Sequence, residues 1–147
     1  SETKIQQIAN RNGTFIRLNM KEKIAAVHEF HTAFGLGIKH SPTADLDIKK
    51  NLLRYELMRE ENEEYLEAAN NNDLIEVADA LGDMLYILCG TIIEHGMQDK
   101  IVEVFNEIQQ SNMSKLGADG KPIYREDGKV LKGPNYFKPN IQAILDR

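Results

Sequence analysis

Cysteine is nearly absent from this 147-residue sequence, which has a single one, Cys89, inside an apolar run. One cysteine cannot form a disulfide within the chain, so we expect a buried, reduced thiol and a reducing, cytoplasmic environment. Long apolar runs are lacking too, because the longest, Met84 to Ile93, is far short of the roughly 20 residues that span a bilayer. The first residues also lack the apolar core of a secretion signal. The sequence therefore predicts a soluble, cytoplasmic protein with no membrane partner.

An excess of basic residues is also lacking, since 23 Asp and Glu outnumber 18 Lys and Arg and the net charge is −5. A surface of this charge is not built to hold a nucleic-acid polymer nonspecifically. An anionic ligand would need a local basic patch or a bridging cation. The length, with 28% charged and 41% hydrophobic residues, is that of one ordinary globular domain over residues 1–147.

Four segments have the pattern of helices joined by short connections. Three lie at about 21–34, 45–70 and 98–111, and another begins after Asp73 and ends near residue 95. Asp73 followed by Glu76 is typical of a capping box. Long helices with short loops predict an all-α fold, an antiparallel four-helix bundle over about 21–111. A short helix around Lys4 to Ala9 is also compatible with the sequence.

The chain changes character after the fourth helix. Residues 117–140 are rich in Gly, Pro and Lys, and "EDGK" between "PIY" and "VLK" predicts a small hairpin turn. We therefore expect a basic C-terminal tail over about 112–147, which contains a small hairpin or loop.

The third helix is apolar on every side, yet its first half carries three carboxylates. Glu76, Asp79 and Asp83 fall within an arc of about 60° on a helix of 3.6 residues per turn. One interpretation is that this arc faces water while the rest of the helix packs. The other is that the acids are buried, which is costly unless a cation accompanies them. The all-round apolar character also predicts burial on several sides, as a homodimer or homotetramer would provide.

The second helix carries a matching set of acids. Glu61 and Glu64 lie on the same face as its apolar stripe, and Glu60 lies at the edge of that face. Two neighbouring helices of this kind would form an oxygen-rich cage, which suits Mg²⁺. A di-iron centre would need Glu-x-x-His pairs, and no histidine of this sequence has a glutamate three residues earlier.

"EENEE" from Glu60, followed by "EVAD" from Glu76, resembles the EExxE…ExxD pattern of the all-α nucleoside triphosphate pyrophosphohydrolases, which include MazG proteins, dimeric dUTPases and phosphoribosyl-ATP pyrophosphohydrolase. "DALGDMLYILCG" and "VFNEIQQSNMSKLG" are similar to its small MazG-like branch. The resemblance implies hydrolysis of a nucleoside triphosphate, with dUTP or another deoxynucleotide as a candidate, to the monophosphate and pyrophosphate. Mg²⁺ would be required, and Mn²⁺ would substitute. An alternative alignment takes "ALGD" as the second half, with Asp83 in the Asp role and Ala80 replacing the Glu.

By motif position, the resemblance implies a set of metal ligands: Glu61, Glu64, Glu76, Asp79 and, one turn on, Asp83 as an additional ligand or neighbouring acceptor. Glu60 or Glu61 would accept the proton of the attacking water, with Glu60 preferred. The basic tail is expected to act as a lid over the phosphates, and the first helix to contact the base. The expected substrate-binding residues are His31, Asn112, Lys115, Lys132, Tyr136 and Lys138.

Two other functional classes stay open at this point. A non-catalytic nucleotide or metal sensor would keep the same helical bundle without turnover. A plain helical oligomerisation module would leave the acids in apolar stripes unexplained. The sequence does not tell which base or sugar the site prefers.

Overall fold

The computed structural model describes residues 19–147 and, before them, the backbone of two short strands. These strands, β1 (Gln7–Ala9) and β2 (Phe15–Arg17), pair in antiparallel orientation. The predicted short helix around Lys4 to Ala9 is therefore wrong where β1 forms, and its first three residues lie outside the described residues. Pairing satisfies the backbone groups of each strand that face the other strand, whereas an isolated helix of about six residues is marginal in water.

Within the described residues, five helices follow the strands. They are α1 (Met20–Phe34), α2 (Ile48–Asn70), α3 (Leu74–Glu94), α4 (Ile101–Met113) and α5 (Ile141–Leu145). The structure thus confirms the four predicted helices and adds α5, which is too short to show a periodic pattern. None of the described helices is long and apolar enough to cross a membrane.

Side-chain caps determine where the first three helices begin. Asn19, Asp47 and Asp73 each accept a hydrogen bond from the backbone amide three residues later. The cap at Asp47 explains why α2 begins later than its sequence pattern predicts. Helix α1 ends at Gly35, whose φ of 66° is the left-handed conformation that glycine adopts without strain.

The chain divides into two compact units, Ser1–Gln98 and Asp99–Arg147. In the first unit, α3 packs against both α1 and α2. The apolar side chains buried in this unit, among the described residues, are Ile24, Val27, Ala68, Ala80, Cys89, Ile92 and Ile93. The all-helical class and the buried thiol are therefore as predicted. The participation of α4 in a four-helix bundle, and a single domain over 1–147, stay predictions.

In the second unit, α4 contacts α5, and the segment between them contains the predicted hairpin. It forms an isolated antiparallel bridge between Tyr124 and Val130. Gly128 in the turn has a φ of 86°, a conformation in which a side chain would be strained. The "EDGK" pattern therefore predicted the turn correctly.

The tail that follows the hairpin is held against the end of α4. The amide of Gly133 donates to the carbonyl of Lys115 at 2.8 Å, and Ser111 Oγ donates to the carbonyl of Phe137 at 2.8 Å. A Cβ at Gly133 would stand 2.1 Å from the carbonyl oxygen of Leu116, so the close approach requires glycine. A freely swinging lid would have to break these contacts.

Candidate functional site

Helices α2 and α3 run in opposite directions along their contact. Near the start of α2, Lys50 Nζ lies 2.9 Å from Oε1 of Glu94, the last residue of α3. Further along α2, Glu61 interacts with Asp79 and Asp83 in the first half of α3. The antiparallel arrangement therefore brings the acidic stretches of the two helices together.

The carboxylate cluster, which we define as Glu61, Glu64, Asp79 and Asp83, lies at this meeting point. The pKa of Glu61 is raised from 4.5 to about 7, first by burial, then by a hydrogen bond with the Glu64 side chain and by the charges of Glu64, Asp83 and Asp79. Burial also raises the pKa of Asp83, followed by the charges of Asp79 and Glu64. The three neighbouring carboxyl groups therefore disfavour the ionised form of Glu61, and a bound cation would remove this repulsion.

The donor atoms of the carboxylate cluster are those that a hard divalent cation prefers. Oε2 of Glu61 is buried and accepts no hydrogen bond from any described residue. Carboxylate oxygens are the usual protein ligands of Mg²⁺. Within residues 19–147, no group of three or more His, Cys, Asp or Glu side chains is already arranged so that it could hold a metal ion. The residues therefore fit Mg²⁺ in the kind of donor atom they offer, although the described side chains are not gathered as a metal site requires.

Two of the predicted acids lie apart from the carboxylate cluster. Glu60 and Glu76 are exposed, and among the described groups neither is a cause of the raised pKa of Glu61 or Asp83. The backbone amide of Glu76 donates to the side chain of Asp73 in the cap of α3. Asp83, in contrast, belongs to the cluster, which favours a role for it as a ligand. The role of each acid stays a prediction.

The side chain of His31, which was expected to bind substrate, is buried in the structure. Its side chain is 2% exposed, and Nδ1 lies 2.8 Å from the carbonyl of Gly37, which can only accept, so Nδ1 carries the proton. Nε2 points toward Gly90, where an added Cβ would stand 2.8 Å away. Since Ile24, Val27 and His31 share one buried face of α1, helical spacing turns the imidazole inward. The contact of His31 with substrate stays a prediction, and in this structure the imidazole is buried and hydrogen-bonded to the chain itself.

The other five predicted substrate-binding residues all lie in the second unit: Asn112, Lys115, Lys132, Tyr136 and Lys138. The contact of Gly133 with the Lys115 carbonyl places Lys132 beside the end of α4. Lys132 Nζ stands 4.7 Å from the centroid of the Tyr136 ring, a cation–π distance. The structure thus brings basic and aromatic residues of the tail together with the end of α4, while their contact with a substrate stays a prediction.

A buried ionic network, which the sequence did not predict, lies at the opposite end of the contact between α2 and α3. Glu94 is 3% exposed and forms ion pairs with Lys50 at 2.9 Å and with Arg54 at 3.1 Å. One available signal is that Glu94 is an acid at the end of a long apolar helix, where burial is expected. The other is that Arg54 shares the apolar side of α2.

Comparison with known proteins finds a match to a family model described as phosphoribosyl-ATP pyrophosphohydrolase over residues 27–112. The match covers more than half of the chain and includes all of α2 and α3. No curated protein matches the sequence. Among solved structures, a crystal structure of "a putative NTP pyrophosphohydrolase" from Exiguobacterium sp. 255-15 is 26% identical, with a TM-score of 0.48, and the match covers 85% of this chain and 94% of that one.

Proposed function

This chain belongs to the phosphoribosyl-ATP pyrophosphohydrolase family, and from that premise we propose that it hydrolyses a nucleoside triphosphate between the α and β phosphates. The products would be the monophosphate and pyrophosphate. The observation that carries the proposal is the carboxylate cluster, in which two helices bring four acids together and the pKa of Glu61 is raised to about 7. Acids at such a density suit a site that binds a polyphosphate through a divalent cation.

The residues of the carboxylate cluster would hold Mg²⁺, which Mn²⁺ could replace, with Glu76 as a further candidate ligand at the start of α3. When bound, the cation supplies neutralisation of the triphosphate charge and lowers the pKa of a water molecule. A carboxyl group whose pKa lies near neutral pH is suited to accept a proton and release it again. Glu61 has this property, and Glu60 is the second candidate for the base.

The tail residues are proposed to bind the phosphates of the substrate. Lys115, Lys132 and Lys138 supply positive charge, while Asn112 and Tyr136 supply hydrogen-bonding groups. The contacts that hold the tail against α4 would reduce the entropy lost when these side chains meet a ligand. Deoxynucleotides such as dUTP are among the substrates to be tested.

We also propose that the protein is a homodimer or homotetramer. Leu81, Leu85 and Leu88 follow one another at helical spacing and remain exposed on α3 in the single chain. Leu74, at the start of the same helix, is 79% exposed. A second copy related by twofold symmetry would present the same apolar stripe and cover this one.

The direct test is pyrophosphate release from common nucleoside and deoxynucleoside triphosphates with Mg²⁺ or Mn²⁺, scored against phosphate release. Glu61→Gln and Asp79→Asn should lower kcat/KM by ~100-fold or more while the helical content stays unchanged. Glu63→Gln is the matched control, because Glu63 lies on α2 as an exposed partner of Arg59 and should keep nearly full activity.

Two outcomes would contradict the proposal. Unchanged turnover in both Glu61→Gln and Asp79→Asn would remove the carboxylate cluster from the chemistry. No release from any triphosphate by the wild-type protein would favour a non-catalytic nucleotide or metal sensor, which equilibrium binding of a triphosphate with Mg²⁺ would then reveal.

A further inference from the structure

Arg54 makes three contacts along α3 from within the groove between α2 and α3. Its Nη2 donates to the carbonyl of Ile87 at 2.8 Å, and its Nε donates to Thr91 Oγ1 at 3.0 Å. Nε also lies 3.1 Å from Oε2 of Glu94, in an ion pair without hydrogen-bond geometry. The Arg54 side chain is 11% exposed. One guanidinium group therefore contacts about two turns of the opposite helix.

The guanidinium lies close against the backbone of α3 because Gly90 has no side chain. A Cβ at Gly90 would stand 2.7 Å from Arg54 Nη2. The planar group has a fixed arrangement of donors, so only one axial position of α2 along α3 satisfies all of its contacts. Apolar side chains alone specify such a position less strictly, and buried polar groups are best attested as devices that select register.

The register that Arg54 selects also determines which acids meet in the carboxylate cluster. On α2, Glu61 follows Arg54 by two turns, while on α3, Asp83 precedes Ile87 by one turn. Because the helices are antiparallel, the contact between Arg54 and Ile87 determines which turn of α3 stands beside Glu61. A slip of one residue moves a helix by ~1.5 Å and turns the facing residue by ~100°. That change would separate acids that now interact.

We propose that Arg54 is a positioning residue, which fixes the register of α2 against α3 and so keeps Glu61 and Glu64 beside Asp79 and Asp83. The register itself stands on the contacts of Arg54 alone, and only its consequence for metal binding and turnover rests on the proposed function. Arg54 lies outside the carboxylate cluster and acts through the helix that carries Glu61. Its partner Glu94, which is buried, belongs to the same device.

The test compares three variants in the full chain. The double variant Arg54→Met with Glu94→Leu replaces the ion pair between these residues by apolar side chains of similar size, which is often neutral or stabilising. It also removes the partner of Lys50, whose side chain is 33% exposed and can be solvated. Arg54→Lys keeps the charge and loses the fork of donors. Arg59→Met is the matched control, since Arg59 is an arginine of the same helix whose partners Glu56 and Glu63 are on the surface of α2.

The first readout is the register itself, measured in the protein without metal by nuclear Overhauser contacts from the Ala80 methyl group to α2. Ala80 is buried on α3 and lies on the same side of that helix as Thr91, which contacts Arg54 of α2, so its neighbours on α2 should change if the helices slip. We expect altered contacts in the double variant, smaller changes in Arg54→Lys and none in Arg59→Met. Wild-type contacts in a folded double variant would overturn the inference. If the double variant does not fold, wild-type contacts in Arg54→Lys would overturn it.

The second readout is the dissociation constant for Mn²⁺, measured from the electron paramagnetic resonance signal of free Mn²⁺. The double variant should bind Mn²⁺ ~10-fold more weakly or worse, although its free energy of unfolding is retained, with Arg54→Lys intermediate and Arg59→Met unchanged. Altered Ala80 contacts with unchanged Mn²⁺ affinity would overturn the link to the cluster. Wild-type protein that binds no Mn²⁺ would contradict the proposed function instead, and the Ala80 contacts would still decide the register.

Discussion

Glu61→Gln should stabilise the metal-free protein at neutral pH, although it removes the proposed activity. The folded protein holds a proton on Glu61 up to about pH 7, whereas the unfolded chain releases it near the ordinary pKa of 4.5. Between these values the folded state binds more protons, so the free energy of unfolding falls as the pH rises. The favourable contribution is complete at pH values below the ordinary pKa and is lost above about pH 7. Glutamine cannot ionise and escapes this loss.

The size of the effect follows from the raised pKa of Glu61. A change from 4.5 to about 7 would correspond to ~3 kcal/mol if it were realised in full. The other members of the carboxylate cluster are exposed, so water and salt screen their charges, and ~1–2 kcal/mol is the expected loss. Glutamine has nearly the same size as glutamate and should add little strain.

The assay is urea unfolding in the presence of a chelator from about pH 5 to about pH 8. Wild-type protein and the control Glu63→Gln should lose stability over this range, while Glu61→Gln should lose much less and end as the most stable of the three. In a second series with Mg²⁺ in place of the chelator, the difference in unfolding free energy between Glu61→Gln and the wild type should be smaller, because Mg²⁺ favours the ionised carboxylates of the wild type. Parallel stability curves for wild type and Glu61→Gln would refute the assignment of the shifted pKa to Glu61.

Two further predictions concern α3. Gly90→Ala should lower the free energy of unfolding by ~1–3 kcal/mol, because its Cβ would stand 2.7 Å from Arg54 Nη2 and 2.8 Å from His31 Nε2. The control is Gly82→Ala on the same helix, where nothing lies within 4 Å of an added Cβ. It should be neutral or stabilising by up to ~1 kcal/mol. Equal losses of unfolding free energy in both variants would contradict the close approach of Arg54 and His31 to Gly90. Leu85→Glu should shift the protein to a smaller assembly in light scattering coupled to size-exclusion chromatography, and a wild-type protein that is already monomeric would contradict the proposed oligomer.

Local signals are enough to predict the four long helices and to propose Glu61 and Asp79 as members of one site. The cap at Asp73 and the end of α1 at Gly35 follow from side-chain and backbone preferences that act within a few residues. Glu61 and Asp79 were placed in one site because they interrupt apolar stripes on neighbouring helices. Motif spacing groups Glu76 with Asp79, yet Glu76 lies in the first turn of α3, where its backbone amide donates to the cap Asp73, and its side chain is exposed. The spacing of acids along α3 does not show which of them the neighbouring helix α2 covers.

The partners of His31 and Arg54 could not be predicted from the sequence, for a common reason. Each is a polar side chain whose partners lie on another segment, the Gly37 carbonyl for His31 and the α3 carbonyl of Ile87 for Arg54. Every residue has a backbone carbonyl, so the sequence does not show which carbonyl accepts a given hydrogen bond. Only the folded arrangement of α1, α2 and α3 shows that these side chains are buried and satisfied.

The two ends of the contact between α2 and α3 show how the chain treats buried acids. At the end of α3, Glu94 faces the negative pole of the helix dipole, and Lys50 and Arg54 of the chain itself compensate it. At the other end, the groups that raise the pKa of Glu61 besides burial are all carboxyl groups. Among the described residues, cationic side chains therefore pair with Glu94, the acid that helps to maintain the register. None of the groups that shift the pKa of Glu61 is cationic. An acid whose pKa is raised by neighbouring carboxyl groups can exchange its proton for a metal ion, whereas Glu94 already has Lys50 and Arg54 as cationic partners.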